Sequence, residues 1–210
     1  MVRVVCALAG SGALLLAGCA DNSDSGGGAS AGGEGATVEV QKVDAIAGEL
    51  PQKVKDAGKL VIGVNVPYAP NEFKDDSGKL VGFDVDLMTA VSQVLGVKPE
   101  FTESDFDKII PAIQAGTYDL GMSSFTDSKE REQTVDFTTY FSAGIQWAQQ
   151  TGKPIDPNNA CGKRVAVQST TVEDTDEIPA KSDKCVAEGK PPIDKQKFDR
   201  QDDAASALAL

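Results

Sequence analysis

Histidine is absent from this chain of 210 residues. Without it, the chain has no Ser-His or Cys-His nucleophile pair and no imidazole ligand for zinc. Basic residues are also scarce, because 20 Lys and Arg stand against 32 Asp and Glu, a formal net charge of −12. That charge repels the phosphate backbone of a nucleic acid. Most hydrolase mechanisms are therefore excluded, and we expect no nucleic-acid partner, no cofactor and no metal.

No apolar run reaches the roughly 20 residues that a membrane-spanning helix needs. The run at 4–16 follows a single basic residue, Arg3, and is typical of a signal peptide. It ends on Leu-Ala-Gly-Cys at 16–19, which resembles the bacterial lipobox. The resemblance implies a lipoprotein signal peptide at 1–18 and a diacylglycerol on Cys19, which would hold the exported protein on the outer face of the cytoplasmic membrane. An ordinary signal peptide that contains a cysteine is the alternative.

Residues 19–45 begin with the lipobox cysteine and are rich in Gly, Ser and Ala up to Gly35. Such a composition cannot bury a core and is typical of a flexible coil. We interpret the segment as a tether between a lipid anchor and a folded domain. A tail without a tethering role would have the same physical properties.

Cysteine is infrequent, with four residues in the chain. Cys6 would leave with the signal peptide and Cys19 would carry lipid, which leaves Cys161 and Cys185. In an oxidising, exported setting we expect this pair to form a disulfide. Two free buried thiols are the alternative.

Strand and helix patterns alternate from residue 59 onward. Short apolar runs predict strands at 60–64, 97–102 and 118–123, and helical spacing predicts helices that end at Gly96 and Gly116. This order is typical of βαβ units and a mostly parallel sheet. Ligands of such sheets bind at the carboxyl ends of the strands, which here are followed by the loop after Val66, the loop 104–106 and the segment from Ser123.

A second unit begins near Trp147. Its pattern predicts strands at 164–168 and 195–198, a helix interrupted by Pro179, and a final helix that opens at Asp202. That helix has no C-cap signal before Leu210, so we expect the natural sequence to continue and this second lobe to be incomplete. We assign lobe 1, the ligand-binding lobe, to 46–147 and the start of lobe 2 to 148–210.

Five segments in order resemble the amino-acid-binding, family 3 extracellular solute-binding proteins of ABC transporters. They are residues 62–70, 82–87, 105–113, 123–131 and 135–137. The resemblance implies a two-lobed α/β fold of the type II periplasmic-binding-protein class, with mostly parallel sheets.

The same resemblance implies how a free amino acid would be held. Arg131 would bind the α-carboxylate through two parallel hydrogen bonds, assisted by hydroxyl and backbone donors. Two aromatic rings would pack on the ligand side chain. The ligand residues implied are Asn65, Tyr68, Phe106, Ser123, Ser124, Thr126, Arg131, Thr171 and Val172. As alternatives, Arg131 could be a surface residue paired with Glu130 or Glu132, and the two aromatics could be core. Threonine at 170 and 171 departs from the family, whose members usually place glycine there.

The function implied is capture of a polar amino acid for delivery to ABC-transporter permease subunits. The amide of Asn65 favours a glutamine-like ligand before an arginine-like one. We expect a monomer that touches the membrane only through its lipid anchor. A ligand-sensing receptor domain, a cyclic-acid dehydratase on the same scaffold and a non-functional fragment are the alternatives. Catalysis would need a placed acid or base, and Asp105 and Asp107 are expected to be helix caps, so an enzyme is not expected.

Overall fold

Residues 40–210 are described by the structure, which is a computed structural model. The predicted signal peptide at 1–18 and the predicted lipidation site Cys19 lie outside these residues. Described residues of the predicted tether already contact the fold, because the backbone N–H of Val40 donates to Oε1 of Gln93 at 3.0 Å. Within residues 40–210, every helix is too short or too polar to cross a membrane.

The described part of the chain alternates short strands and helices. The strands are β1 (Lys59–Val64), β2 (Phe73–Lys74), β3 (Leu80–Val81), β4 (Lys98–Glu103), β5 (Leu120–Gly121), β6 (Arg164–Gln168) and β7 (Asp194–Phe198). The α-helices are α1 (Asp44–Ala47), α2 (Gln52–Ala57), α3 (Phe83–Leu95), α4 (Phe106–Gln114), α5 (Ile178–Ala187) and α6 (Gln201–Ala209). Single 3₁₀ turns lie at Arg131–Gln133 and Pro157–Asn159, and a π-helical turn at Glu173–Glu177 precedes α5.

The first lobe is built on a three-stranded parallel sheet in the order β4-β1-β5. The central strand β1 is covered on both faces, which explains its continuous apolar run. Its side chains form the core together with residues of neighbouring elements, namely Val54, Leu60, Ile62, Val64, Met88 and Met122. Because all three strands run in parallel, their carboxyl ends meet at one edge of the sheet, as the sequence predicts.

The hairpin β2–β3 leads into α3 through a glycine that no other residue could replace without strain. Gly82 has φ of 128°, and a Cβ there would lie 2.2 Å from the carbonyl oxygen of Asn71. That same carbonyl accepts the backbone N–H of Asp84 at 2.9 Å. The close approach fixes the start of α3 beside the loop that follows β1.

The second lobe contains the parallel pair β6–β7 and the α5 helix. Its core consists of Ala160, Val167, Ile178, Cys185 and Ile193, with Trp147 packed against it. Cys161 and Cys185 form a disulfide, with their Cα atoms 5.5 Å apart. The predicted pairing of these two cysteines is therefore confirmed.

Three local predictions differ from the structure. The strand expected at 118–123 is only two residues long, at Leu120–Gly121. The carboxylate of Asp105 pairs with Nζ of Lys108 instead of capping α4. Pro179 lies in the first turn of α5, where its missing N–H costs no helical hydrogen bond, so it does not interrupt that helix.

Candidate functional site

A cleft of about 310 Å³ lies between the carboxyl edge of the first-lobe sheet and the second lobe. All nine residues that the family resemblance implied as ligand residues line it, namely Asn65, Tyr68, Phe106, Ser123, Ser124, Thr126, Arg131, Thr171 and Val172. The first lobe supplies seven of them from the loop after β1, the start of α4 and the segment after β5. The remaining two come from the loop between β6 and α5.

Arg131 is held in place by both lobes. Its Nη1 donates to the carbonyl oxygen of Thr126 at 2.7 Å, and its Nη2 donates to the carbonyl oxygen of Thr170 at 2.9 Å. Burial lowers the pKa of the guanidinium, while the nearby carboxylates, led by Glu173, oppose that shift. An arginine has five N–H donors. Two are used by these carbonyls, which leaves three for a ligand carboxylate.

The alternative considered for Arg131, a surface pairing with Glu130 or Glu132, does not occur among the described contacts. The guanidinium instead lies near two stacked rings, with Cζ 5.7 Å from the centroid of Phe106 and 5.4 Å from that of Phe125. Those rings are 4.2 Å apart and nearly parallel, at 17°. Cation–π contact with these rings helps to orient the guanidinium, which lines the cleft.

Ser124 adopts an unusual backbone conformation that a buried carboxylate stabilises. Its φ is 49°, in the left-handed region. Oδ2 of Asp84 accepts both the backbone N–H and the hydroxyl of Ser124, each at 2.9 Å. Asp84, fully buried at the first turn of α3, therefore sets the position of a cleft-lining residue.

Asn65 is buried immediately after β1, and each polar atom of its side chain has one protein partner. Its Nδ2 donates to the carbonyl oxygen of Ser104 at 2.8 Å, and its Oδ1 accepts Nε2 of Gln168 at 2.9 Å. Its backbone N–H donates to Oγ of Ser123 at 3.0 Å. Asn65 thus orders the floor of the cleft and joins the two lobes.

Glu72 is a fully buried carboxyl in the wall of the cleft. Its Oε1 accepts the hydroxyl of Ser123 at 2.5 Å. Burial raises its pKa to about 8; the Ser123 hydrogen bond opposes the shift and the neighbouring Asp84 adds to it. Glu72 lies between the matched segments 62–70 and 82–87 and belongs to neither, so the sequence pattern does not indicate its burial.

The second-lobe loop is shaped by a strained threonine. Thr170 has φ of 62°, a conformation that is unfavourable for a β-branched residue and natural for glycine. Its N–H donates to Oδ2 of Asp174 at 2.9 Å. Burial opposes the charge of Asp174, but hydrogen bonds from Lys195, Lys197 and Thr170 outweigh it and lower its pKa. The threonine at 170 therefore stands where relatives usually have glycine and where the backbone conformation favours glycine.

Two carboxyl groups line the cleft together with Arg131. Glu173 lines the cleft from the second lobe, and Glu72 from the first. Burial raises the pKa of Tyr68, and Glu173, Glu72 and Asp84 raise it further.

Several cleft residues were not found from the sequence, namely Asn71, Glu72, Phe141, Ala143, Gly144, Ile145, Gln168 and Glu173. Those at 141–145 belong to a segment without regular secondary structure, so no periodicity marked them. The signal that could have found Gln168 is topological, because it ends a parallel strand.

A family model of bacterial extracellular solute-binding proteins, family 3, matches residues 60–207. Among curated proteins, the arginine-binding protein ArgT of Corynebacterium glutamicum is 46% identical over 163 residues, which are 77% of this chain and 54% of ArgT. The chain thus spans about half the length of that relative.

Three solved structures share the fold. An ancestral arginine-binding protein bound to arginine gives a TM-score of 0.60 at 34% identity, over 72% of this chain and 65% of that one. Another such protein bound to glutamine gives 0.61 at 37% identity, over 72% and 64%. An ancestral amino-acid-binding protein that is a precursor of cyclohexadienyl dehydratase gives 0.61 at 31% identity, over 75% and 68%. Together with the parallel sheets, these similarities confirm the predicted fold class.

Proposed function

The chain belongs to the bacterial extracellular solute-binding proteins of family 3, and we propose that it captures a free amino acid for import by an ABC transporter. The observation that carries the proposal is Arg131, fixed between the lobes with three N–H groups left for a ligand carboxylate. Ser124, Thr126 and Thr171 line the same cleft and add hydroxyl and backbone groups that can bind the ligand's carboxylate or ammonium.

We further propose that the ligand has a cationic side chain. The glutamine-like preference that the sequence predicts depends on the Asn65 amide, whose Nδ2 and Oδ1 each have a protein partner, Ser104 and Gln168 respectively, so that only half of its hydrogen-bonding capacity is left for a ligand. Glu173 contributes a carboxylate to the cleft, and Glu72 contributes a buried carboxyl group that a nearby positive charge would favour in its ionised form. Similarity to arginine-binding proteins supports this ligand class. Glutamine remains the second candidate, because one similar protein is bound to it.

Calorimetric titration of the purified protein with arginine and with glutamine tests the proposal. We expect binding of arginine at a 1:1 ratio and weaker or undetectable binding of glutamine. Tight binding of glutamine with none of arginine would contradict a cationic ligand and support the glutamine-like ligand that the sequence predicts. Absence of binding to both, in protein that unfolds cooperatively, would contradict amino-acid capture by this cleft.

The lobes would close around the ligand by a hinge movement, with the ligand stabilising the closed form by mass action. The lipobox-like segment ending at Cys19 supports export and a lipid anchor. We propose that the anchored protein acts as a monomer and docks on the permease subunits of the importer. A membrane-fraction assay with the Cys19→Ala variant tests the anchor, since the variant should leave the membrane fraction.

We propose a binding protein rather than an enzyme. A general acid must reach the atom that it protonates. The one cleft carboxyl with a pKa raised to about 8 is Glu72, which is completely buried and has one oxygen engaged by Ser123. Its placement supports an electrostatic effect on a bound ligand more than proton transfer to it.

A further inference from the structure

Glu72 occupies an unusual position for a carboxyl group. It lies in the cleft wall but is fully buried, with an exposed fraction of 0%. Oε1 accepts the Ser123 hydroxyl at 2.5 Å, whereas Oε2 has no hydrogen-bond partner among residues 40–210. Leaving a buried charged oxygen unpaired is costly, so this carboxyl is poised to remain protonated until a positive charge arrives.

The groups that face Glu72 from the surrounding elements do not supply that charge. Asp84 faces it from α3, Tyr68 from the loop after β1 and Tyr140 from the segment between the lobes. Asp84 repels a second negative charge, and both tyrosines have raised pKa values with burial as the main cause. With the pKa of Glu72 itself at about 8, the carboxyl is mostly neutral at neutral pH.

We propose that Glu72 is a specificity-determining residue that loses its proton to solvent when a cationic ligand side chain enters the cleft. This inference rests on the proposed amino-acid-binding function. A positive charge nearby favours the ionised carboxyl and lowers its pKa. Binding of a cation therefore releases a proton, and the carboxylate that forms attracts the ligand. A ligand with a neutral side chain would leave Glu72 protonated and gain no such attraction.

The direction of the pH effect follows from this linkage. Below the pKa of Glu72 in the occupied cleft, the carboxyl is protonated in both states and binding releases no proton. Between that value and about 8, binding of a cation releases up to one proton. The affinity for arginine should then rise with pH by up to about tenfold per pH unit, and the affinity for glutamine should not follow it.

Ser123 connects the buried carboxyl to the rest of the site. Its hydroxyl donates to Glu72, and its oxygen accepts the backbone N–H of Asn65 at 3.0 Å. Ionisation of Glu72 would strengthen the first bond, because hydrogen bonds to charged acceptors are stronger than those to neutral ones. Charge on Glu72 would thereby tighten the end of β1 beneath the ligand.

Calorimetric titration at about pH 7, in two buffers of different ionisation enthalpy, measures the proton release. The titrants are arginine and glutamine, which share the same α-amino group, so any difference reports the side chain. We expect the apparent binding enthalpy of arginine to depend on the buffer, and that of glutamine to depend on it much less. The wild-type comparison alone is decisive, whatever the stability of any variant.

The Glu72→Gln variant tests whether Glu72 is the source of the proton released when arginine binds. Glutamine mimics the protonated carboxyl and keeps an acceptor for Ser123, so arginine should bind this variant with no buffer dependence and with a flat pH profile. Glu49→Gln, an exposed change in the first lobe, is the matched control and should behave as wild type. Equal proton release in wild type and Glu72→Gln would overturn the inference while leaving amino-acid binding intact. Absence of heat with both ligands would overturn the binding function and the inference together.

Discussion

Gln168 donates its Nε2 to Oδ1 of Asn65 at 2.9 Å, although 103 residues separate the two in the sequence. Gln168 ends β6 in the second lobe, and Asn65 follows β1 in the first. The same Nε2 group donates to the carbonyl oxygen of Asp199 at 3.0 Å. One buried amide therefore connects the floor of the cleft to the ends of both second-lobe strands.

The Gln168→Met variant should destabilise the folded protein by about 1–3 kcal/mol. Methionine keeps the approximate volume but removes both donors, which leaves Oδ1 of Asn65 buried without that partner. Chemical denaturation followed by circular dichroism measures the change. Gln133→Met, at an exposed position, is the control and should change stability little. Equal stability of both variants would show that the contact between the lobes contributes nothing.

The Thr170→Gly variant should stabilise the protein by about 1 kcal/mol. A non-glycine residue in the left-handed conformation costs roughly 1–2 kcal/mol, which the substitution would remove. Glycine also raises the conformational entropy of the unfolded chain, and this offsets part of the stabilisation. Thermal unfolding measures the shift. Thr138→Gly, at a residue without positive φ, should destabilise instead. A lower melting temperature for Thr170→Gly would contradict strain at this loop.

The order of strands and helices and the location of the cleft could be predicted because each depends on local patterns. The apolar run of β1 and the glycine that ends α3 are properties of neighbouring residues, and the carboxyl edge of a parallel sheet follows from their order. The resemblance then identified nine residues that all line the cleft. Their contacts with a ligand stay a prediction.

What escaped prediction depends on contacts between distant residues. The local sequence indicates for Asp84 only a charge that suits a helix start, but its carboxylate accepts two hydrogen bonds from Ser124, 40 residues away. Glu72 lies outside the segments that carry the resemblance, and its partner Ser123 is 51 residues later in the chain. The sequence assigns the Asn65 amide to a ligand side chain because neither Ser104 nor Gln168, its protein partners, is near it in the sequence.

Loss of the Cys161–Cys185 disulfide should destabilise the fold by about 3 kcal/mol. The two cysteines are 24 residues apart, and cross-linking a loop of this size restricts the unfolded chain by about that amount. Thermal unfolding with and without a reductant measures the loss. The Cys161→Ser, Cys185→Ser double variant should start at the lower stability and show no further response to the reductant. A reductant effect as large in the double variant as in wild type would contradict this assignment.

Burial of Glu72 should make the wild-type protein less stable, relative to Glu72→Gln, as the pH rises from about 4.5 to about 8. Between these values the folded protein keeps a proton on Glu72 that the unfolded chain has lost, so raising the pH favours unfolding. Each pH unit costs up to about 1.4 kcal/mol. Denaturant unfolding across this range, with Glu49→Gln as control, tests the sign. A difference between wild type and Glu72→Gln that does not change with pH would contradict it.

The central claim is that Arg131 holds the α-carboxylate of a bound amino acid, and titration of the Arg131→Lys variant with arginine tests it most directly. Lysine keeps the charge but cannot form the two-pronged contact, so we expect a loss of about 2 kcal/mol or more, roughly thirtyfold in affinity. Arg164→Lys, at an exposed position on β6, should bind as wild type, and thermal unfolding should verify that both variants are folded. Undiminished affinity of a folded Arg131→Lys protein would show that the carboxylate is bound elsewhere.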